Sequence, residues 1–289
     1  MVPGMDPVRR ARVRWVFRMV SAFSTRLAVR LAMRLFLTPL KRSIDPEEAT
    51  FLASGKSQRL DVPTGTLEVY DWPGAAPASP SVLIVHGWIA HAARMADLIS
   101  ALRAQGMRVV AFDAPAHGRS SGHQADMHAF RGAIQAVIES HGPVQGVIAH
   151  SFGAFATASW LAEDQPAAVR GAVLIGMMHD LGYITDSFSQ VTALNAQVQA
   201  GFRERMRERF GAYPEEVTTG ALVRRIPFPV LLVHGGSDDV VPTEHAEAVS
   251  RQLRQGELLI APALGHGAPL RDPATIKRIV DFLSARLLA

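Results

Sequence analysis

Stretches of three to six mostly apolar residues recur from residue 82 onward, at 82–85, 109–112, 144–149, 172–175, 230–233 and 258–260. Runs this short, dominated by Val, Ile, Leu and Ala, predict strands covered on both faces. Upstream, 57–62 and 66–71 flank Pro63-Thr64-Gly65, which predicts a hairpin. Segments of helical length, such as 94–105 and 126–140, lie between most of the apolar runs. Alternation of this kind predicts an α/β fold, a parallel sheet with helices on both faces. The interval from Met177 to Arg225 is too long for a simple crossover and contains a polar helical stretch around 202–210. A connection of that length predicts a short helical cap or lid.

Before residue 57 the pattern changes. Val16, Val20, Phe23, Leu27, Leu31 and Leu35 recur at three- and four-residue steps, beside Arg10, Arg14, Arg18, Arg26, Arg30 and Arg34 at multiples of four. Interleaved stripes predict an amphipathic helix with arginine along one side. Arginines interrupt every window that a membrane span of roughly 18 apolar residues requires. They also break the uncharged core of a secretory signal peptide. Three readings stay open: a helix lying on anionic lipid, one or two helices packed on the main domain, and a targeting peptide that is removed. The Arg, Trp, Phe and Leu composition fits the first best, as peripheral contact through residues 9–37 at the inner membrane surface of a cytoplasmic protein.

Charge sharpens this division. The 289-residue chain has a net charge of +4, but residues 1–42 hold ten of its thirty Lys and Arg and one acid, Asp6. The rest carries 20 bases against 25 acids, so a basic groove for nucleic acid is not expected there. The expected organisation is a basic amphipathic segment over 1–45 and a main domain over 46–289, with its cap insertion at about 177–225. At 48% hydrophobic residues the chain is not disordered. The absence of cysteine excludes disulfides, thiolate metal sites and a cysteine nucleophile.

Chemistry concentrates at the ends of the predicted strands. The run 144–149 leads into His150-Ser151-Phe152-Gly153 and then a helical segment. A serine between strand and helix, with small residues two positions away on each side, has the nucleophile-elbow pattern, here with Ala149 at the usual first glycine. His86-Gly87-Trp88 follows the strand at 82–85, where a hydrolase needs a loop with a backbone N–H aimed at a developing oxyanion. Trp88 and Phe152 are the expected main-chain donors. The strand at 230–233 leads to Gly235-Gly236-Ser237-Asp238-Asp239-Val240-Val241-Pro242, and the last strand to Gly265-His266-Gly267. Serine, acid and histidine in that order match a Ser-Asp-His triad. His123, Asp126 and His128 match no metal-binding spacing, and no metal site is expected.

From about residue 57 to the C-terminus the chain resembles the α/β-hydrolase superfamily, of the serine esterase or lipase type. Asp113-Ala114-Pro115-Ala116-His117-Gly118-Arg119-Ser120 resembles the family's loop after its fourth strand, with Ala116 in place of the usual glycine. The resemblance implies an eight-stranded, mostly parallel sheet whose antiparallel edge is the opening hairpin, and no cofactor. It also implies that Ser151 is the nucleophile and His266 its base. Asp238 is the expected acid, because it fits the family's Gly-x-x-Asp-x-x-Val-Pro spacing from Gly235, with Asp239 the adjacent competitor. Asp113 is expected to fix its loop, and His86 and His117 to hydrogen-bond loop backbone. A serine rather than an aspartate at 151 argues against epoxide hydrolases and haloalkane dehalogenases. The expected activity is that of a carboxylesterase-type serine hydrolase. Its expected partner is a small-molecule ester with an apolar acyl group, held by Met177, Tyr183 and Phe188. The same triad also serves thioesterases, lactonases and carbon–carbon bond hydrolases, and a non-catalytic binding protein can keep this fold.

Overall fold

In the computed structural model, which describes residues 6–288, one mixed sheet carries everything that follows. Its strands are β1 (Lys56–Val62), β2 (Gly65–Trp72), β3 (Ser81–Val85), β4 (Arg108–Asp113), β5 (Gly146–His150), β6 (Gly171–Ile175), β7 (Val230–Gly235) and β8 (Gly256–Ala261). They lie in the order β1-β2-β4-β3-β5-β6-β7-β8. β1 and β2 form the expected hairpin, and β2 pairs antiparallel with β4. Every other pairing is parallel. The helices are α1 (Pro7–Phe23), α2 (Thr25–Leu37), α3 (Pro46–Ala53), α4 (Ala96–Ala104), α5 (Met127–His141), α6 (Phe152–Asp164), α7 (Leu181–Thr192), α8 (Ala196–Phe210), α9 (Thr219–Val223), α10 (Thr243–Ser250) and α11 (Pro273–Leu287).

The parallel strands lie inside because their sequences leave no polar face. Every residue of β3, β5, β6 and β7 is buried. Alternate side chains, Val82 and Ile84 of β3, Ile148 of β5, Val173 of β6 and Leu231 of β7, pack with Leu98 and Leu102 of α4 and Ile279 and Leu283 of α11. α5 and α6 pair with each other, and α6 contacts β3, β5 and β6, with Phe155 and Trp160 fully enclosed. The order doubles back at β4-β3-β5, so the crossovers from β3 and from β5 diverge. Crevices for ligands open at the carboxyl ends of strands where this happens, and residues 86–88 and 150–152 sit there.

Two compact units make up the chain. The sheet unit comprises Pro39–Met178 and Thr219–Ala289, and the other comprises Met1–Thr38 with His179–Thr218. α1 and α2 of the basic segment thus share a unit with α7 and α8. Val29 and Ala28 of α2 pack on Val198 of α8. Phe36, Phe188 and Phe202 form an aromatic trio with ring centroids 5.2–5.5 Å apart. The Arg14 side chain donates to the carbonyls of Val191 and Gln190.

The single amphipathic stripe read from the sequence is broken in the structure. Ser24 is extended (φ −159°, ψ 114°), ends α1, and accepts a hydrogen bond from Leu27 N–H as the N-cap of α2. Caps of this kind recruit serine because its hydroxyl satisfies an otherwise orphaned donor. Phe17 of α1 and Ala28, Val29 and Ala32 of α2 are buried, while Phe23 of α1 and Leu27 of α2 face outward. Among the described residues no helix is long and apolar enough to cross a membrane.

Leu283 has no exposed surface. Leu283→Ala is expected to cost about 2–5 kcal/mol through the cavity it leaves. Lys277→Ala, on the exposed side of the same helix, is expected to stay within about 0.5 kcal/mol. Urea unfolding of the two variants checks the contrast.

Candidate active site

Ser151 stands between β5 and α6 with φ 55° and ψ −124°, a conformation that side chains rarely adopt. Its N–H donates to Ile175 O at 2.7 Å, which ties the turn to β6. Gly153 permits the turn because a Cβ there would lie 2.2 Å from the His86 carbonyl oxygen. Ala149 is tolerated two residues earlier as a fully buried position of β5. Strained backbone of this kind persists only where its surroundings over-determine it, and it commonly marks functional sites.

The loop after β3 runs alongside. A Cβ on Gly87 would meet Ser151 Cβ at 3.0 Å, so the 86–88 backbone lies directly against the elbow. The Trp88 ring meets Phe152 edge-on at 5.2 Å and His117 at 5.1 Å. The two residues expected to supply main-chain donors are thus neighbours.

Asp238, His266 and Ser151 form one hydrogen-bonded chain. His266 Nδ1 lies 2.7 Å from Asp238 Oδ2, and His266 Nε2 lies 2.9 Å from Ser151 Oγ. Asp239 is exposed, and it is Asp238 that reaches the imidazole. The Asp238 side chain has no exposed surface. Burial alone would raise its pKa, but the hydrogen bond and charge interaction with His266 and the N–H groups of Val241 and Val240 outweigh it. The carboxyl is held below its ordinary value of 3.8. Both N–H groups donate to Oδ1 at 2.8 Å. A base oriented by a buried carboxylate and touching a serine hydroxyl is the arrangement that generates an oxygen nucleophile at neutral pH.

Several neighbouring groups support this chain without belonging to it. His150 Nε2–H donates to the His266 carbonyl at 3.1 Å, pinning the loop that carries the base. His234 Nε2–H donates to Val241 O at 2.8 Å and lies 3.4 Å from Asp238 Oδ2. His234 was not singled out from the sequence; its signal is a His-Gly pair closing a buried strand, as in His86-Gly87. Asp113 accepts from Ala92 N–H, Arg119 N–H and the Tyr70 hydroxyl, which fixes its loop. Ala116 occupies the left-handed region (φ 64°), where the more usual glycine has no strain. Asp126 caps α5 through Ala129 N–H.

The three residues expected to hold substrate are not brought together in one unit. Met177 is buried just after β6 in the sheet unit. Tyr183 and Phe188 belong to the other unit, where Phe188 is enclosed by Phe36 and Phe202.

Three buried imidazoles give the fold a defined acid sensitivity. Burial lowers His86 from 6.5 to about 4. Its Nδ1–H donates to Gly87 O, while Nε2 accepts from Ala114 N–H and so resists a second proton. Burial and the nearby His86 lower His117 to about 3, and burial and the nearby His266 lower His150 to about 3. The unfolded chain therefore binds protons between pH 6.5 and about 4 that the folded chain refuses. Stability from these groups is complete above pH 6.5 and falls as pH drops. Asp238 works in a lower window, its contribution being lost as pH falls through its depressed value. Unfolding free energy is expected to fall steeply from pH 6.5 to 4.5, and His117→Gln to reduce proton uptake on unfolding by about one. A flat profile for the wild type in urea titrations contradicts this.

Comparison with known proteins adds a consistent picture. A family model described as serine aminopeptidase, S33 matches residues 76–219, and one described as TAP-like protein matches residues 212–286. A bifunctional esterase/perhydrolase of Acinetobacter calcoaceticus is 28% identical over 252 residues, covering 69% of this chain and 90% of that protein. A non-heme haloperoxidase of Rhodococcus erythropolis is 25% identical over 263 residues, covering 74% and 93%. Among solved structures, the Pyrococcus furiosus esterase Pf2001 superposes with a TM-score of 0.64 at 18% identity, covering 87% of this chain and 97% of that one.

Proposed function

We propose that this chain, which belongs to the α/β-hydrolase superfamily, cleaves carboxylic ester bonds through an acyl-enzyme on Ser151. The observation that carries the reading is the chain Asp238–His266–Ser151, with contacts of 2.7 and 2.9 Å. Ser151 Oγ attacks the ester carbonyl as His266 Nε2 accepts its proton. Asp238 holds the imidazole by Nδ1–H and stabilises the imidazolium that forms. The carbonyl oxygen gains charge and is met by the backbone N–H groups of Trp88 and Phe152. His266 returns the proton to the leaving alcohol. It then deprotonates a water that attacks the acyl carbon, releasing the acid and restoring Ser151. The Trp88 and Phe152 rings place apolar groups beside the elbow, which suits an apolar acyl group.

A second reading rests on the names of the relatives, an esterase/perhydrolase and a haloperoxidase. Hydrogen peroxide in place of water in the second half-reaction releases the acyl group as a peracid. The first half-reaction is unchanged.

Hydrolysis of p-nitrophenyl esters from acetyl to palmitoyl, by the wild type and Ser151→Ala side by side, tests the first reading. The variant is expected to lose on the order of 10⁴-fold or more in kcat. Equal rates in the two proteins refute it. Peracid formation on adding hydrogen peroxide, dependent on Ser151, tests the second.

A further inference from the structure

The outward face of α1 has an apolar stripe that nothing in its own unit covers. Val8 is 79% exposed, Trp15 63%, Met19 52% and Phe23 86%, with Leu27 of α2 44% exposed. At 3.6 residues per turn the four α1 side chains fall within about 80° of arc, and buried Phe17 lies on the opposite side of the helix. The helix thus has two apolar faces. One is satisfied inside the unit, and the other is presented to water at a cost that a monomer has no structural need to bear.

Exposed arginines stand on the same two helices. Arg9, Arg12 and Arg18 of α1 and Arg26, Arg30 and Arg34 of α2 are all exposed. Among the described residues none of these six has an acidic partner within ion-pair distance. On α8 of the same unit, by contrast, Arg203 pairs with Asp186 and Glu215, Arg205 with Glu208, and Arg207 with Glu204. No acidic residue occurs between Asp6 and Asp45. α1 and α2 thus carry exposed arginines without acidic partners on the same helices as the exposed apolar stripe.

We infer that this face docks on an anionic lipid bilayer, with Trp15, Met19 and Phe23 entering the interface and the arginines meeting lipid phosphates. An amphipathic helix with Trp and Phe on one face and arginine beside it has the composition of an interfacial anchor. Each arginine near an anionic surface adds attraction that salt screens. A second copy is a poorer occupant, because pairing the same face would bring two acid-free arginine clusters together. A neutral surface would leave those arginines without a counter-charge. The inference concerns the helical unit alone and is independent of what Ser151 does.

Co-sedimentation of the full chain with vesicles tests it. Phosphatidylcholine vesicles are compared with vesicles containing about one third phosphatidylglycerol. Binding is expected only to the anionic vesicles, weakening with added salt, and with a blue shift of tryptophan emission. Trp15 dominates such a shift because Trp72 and Trp160 are buried and Trp88 is only partly exposed. Trp15→Ser combined with Phe23→Ser is expected to weaken binding at least about tenfold while leaving the unfolding midpoint unchanged. Arg18→Gln with Arg30→Gln, which keeps the stripe, is expected to flatten the salt dependence. No binding to anionic vesicles at low salt, or undiminished binding by the serine variant, overturns the inference. So does a wild-type dimer that the serine variant dissociates, since a second copy would then be the occupant.

Discussion

Asp238 carries its charge on a side chain with no exposed surface, and such a charge persists only if fixed partners replace the water it has lost. Two backbone N–H groups of its own loop meet one oxygen, and His266 meets the other. The loops after β7 and β8 must therefore stay in register with each other, and His266 keeps one orientation. That orientation aims Nε2 at Ser151, whose backbone is bent into a rarely occupied conformation to receive it. His150 adds a second tie by holding the His266 carbonyl. Removing the Asp238 carboxylate would free the ring to rotate and leave Ser151 without an oriented base.

The parallel sheet makes this constraint inexpensive to satisfy. Strands buried on both faces leave their carboxyl ends as the place where loops emerge together. β3, β5, β6 and β7 deliver His86, Ser151, Gly176 and Asp238 to one edge, and β8 delivers His266. The same packing leaves His86, His117 and His150 without solvent, so the site is supported by imidazoles that must stay neutral. A fold of this kind trades acid tolerance for rigidity around the elbow.

Strands and site were legible in the sequence for one reason: each motif is local. The apolar runs read as strands match the strands of the sheet to within a residue or two, since full burial leaves a pattern that needs no tertiary information. Ser151, Asp238 and His266 each stand a fixed number of residues past such a run. The spacing from Gly235 favoured Asp238 over Asp239, and the structure shows why: the 240 and 241 N–H groups turn toward the Asp238 carboxylate. Other features were hidden because they are matters of three-dimensional geometry. The break at Ser24 is one hydroxyl accepting one N–H, and it divides the segment into two helices. The partnership of the first two helices with α7 and α8 joins residues more than 140 positions apart, and no local pattern announces it. The packing of Phe188 against Phe36 and Phe202 is of the same long-range kind.

The central claim is that the buried Asp238 carboxylate and His266 make Ser151 a nucleophile. Labelling with a fluorophosphonate, which reports serine nucleophilicity without requiring knowledge of the substrate, tests it most directly. The account predicts about one label per chain, found on Ser151 by peptide mass spectrometry, and nearly complete loss of labelling in His266→Ala. Labelling at another residue, or equal labelling of the His266→Ala variant, would contradict it.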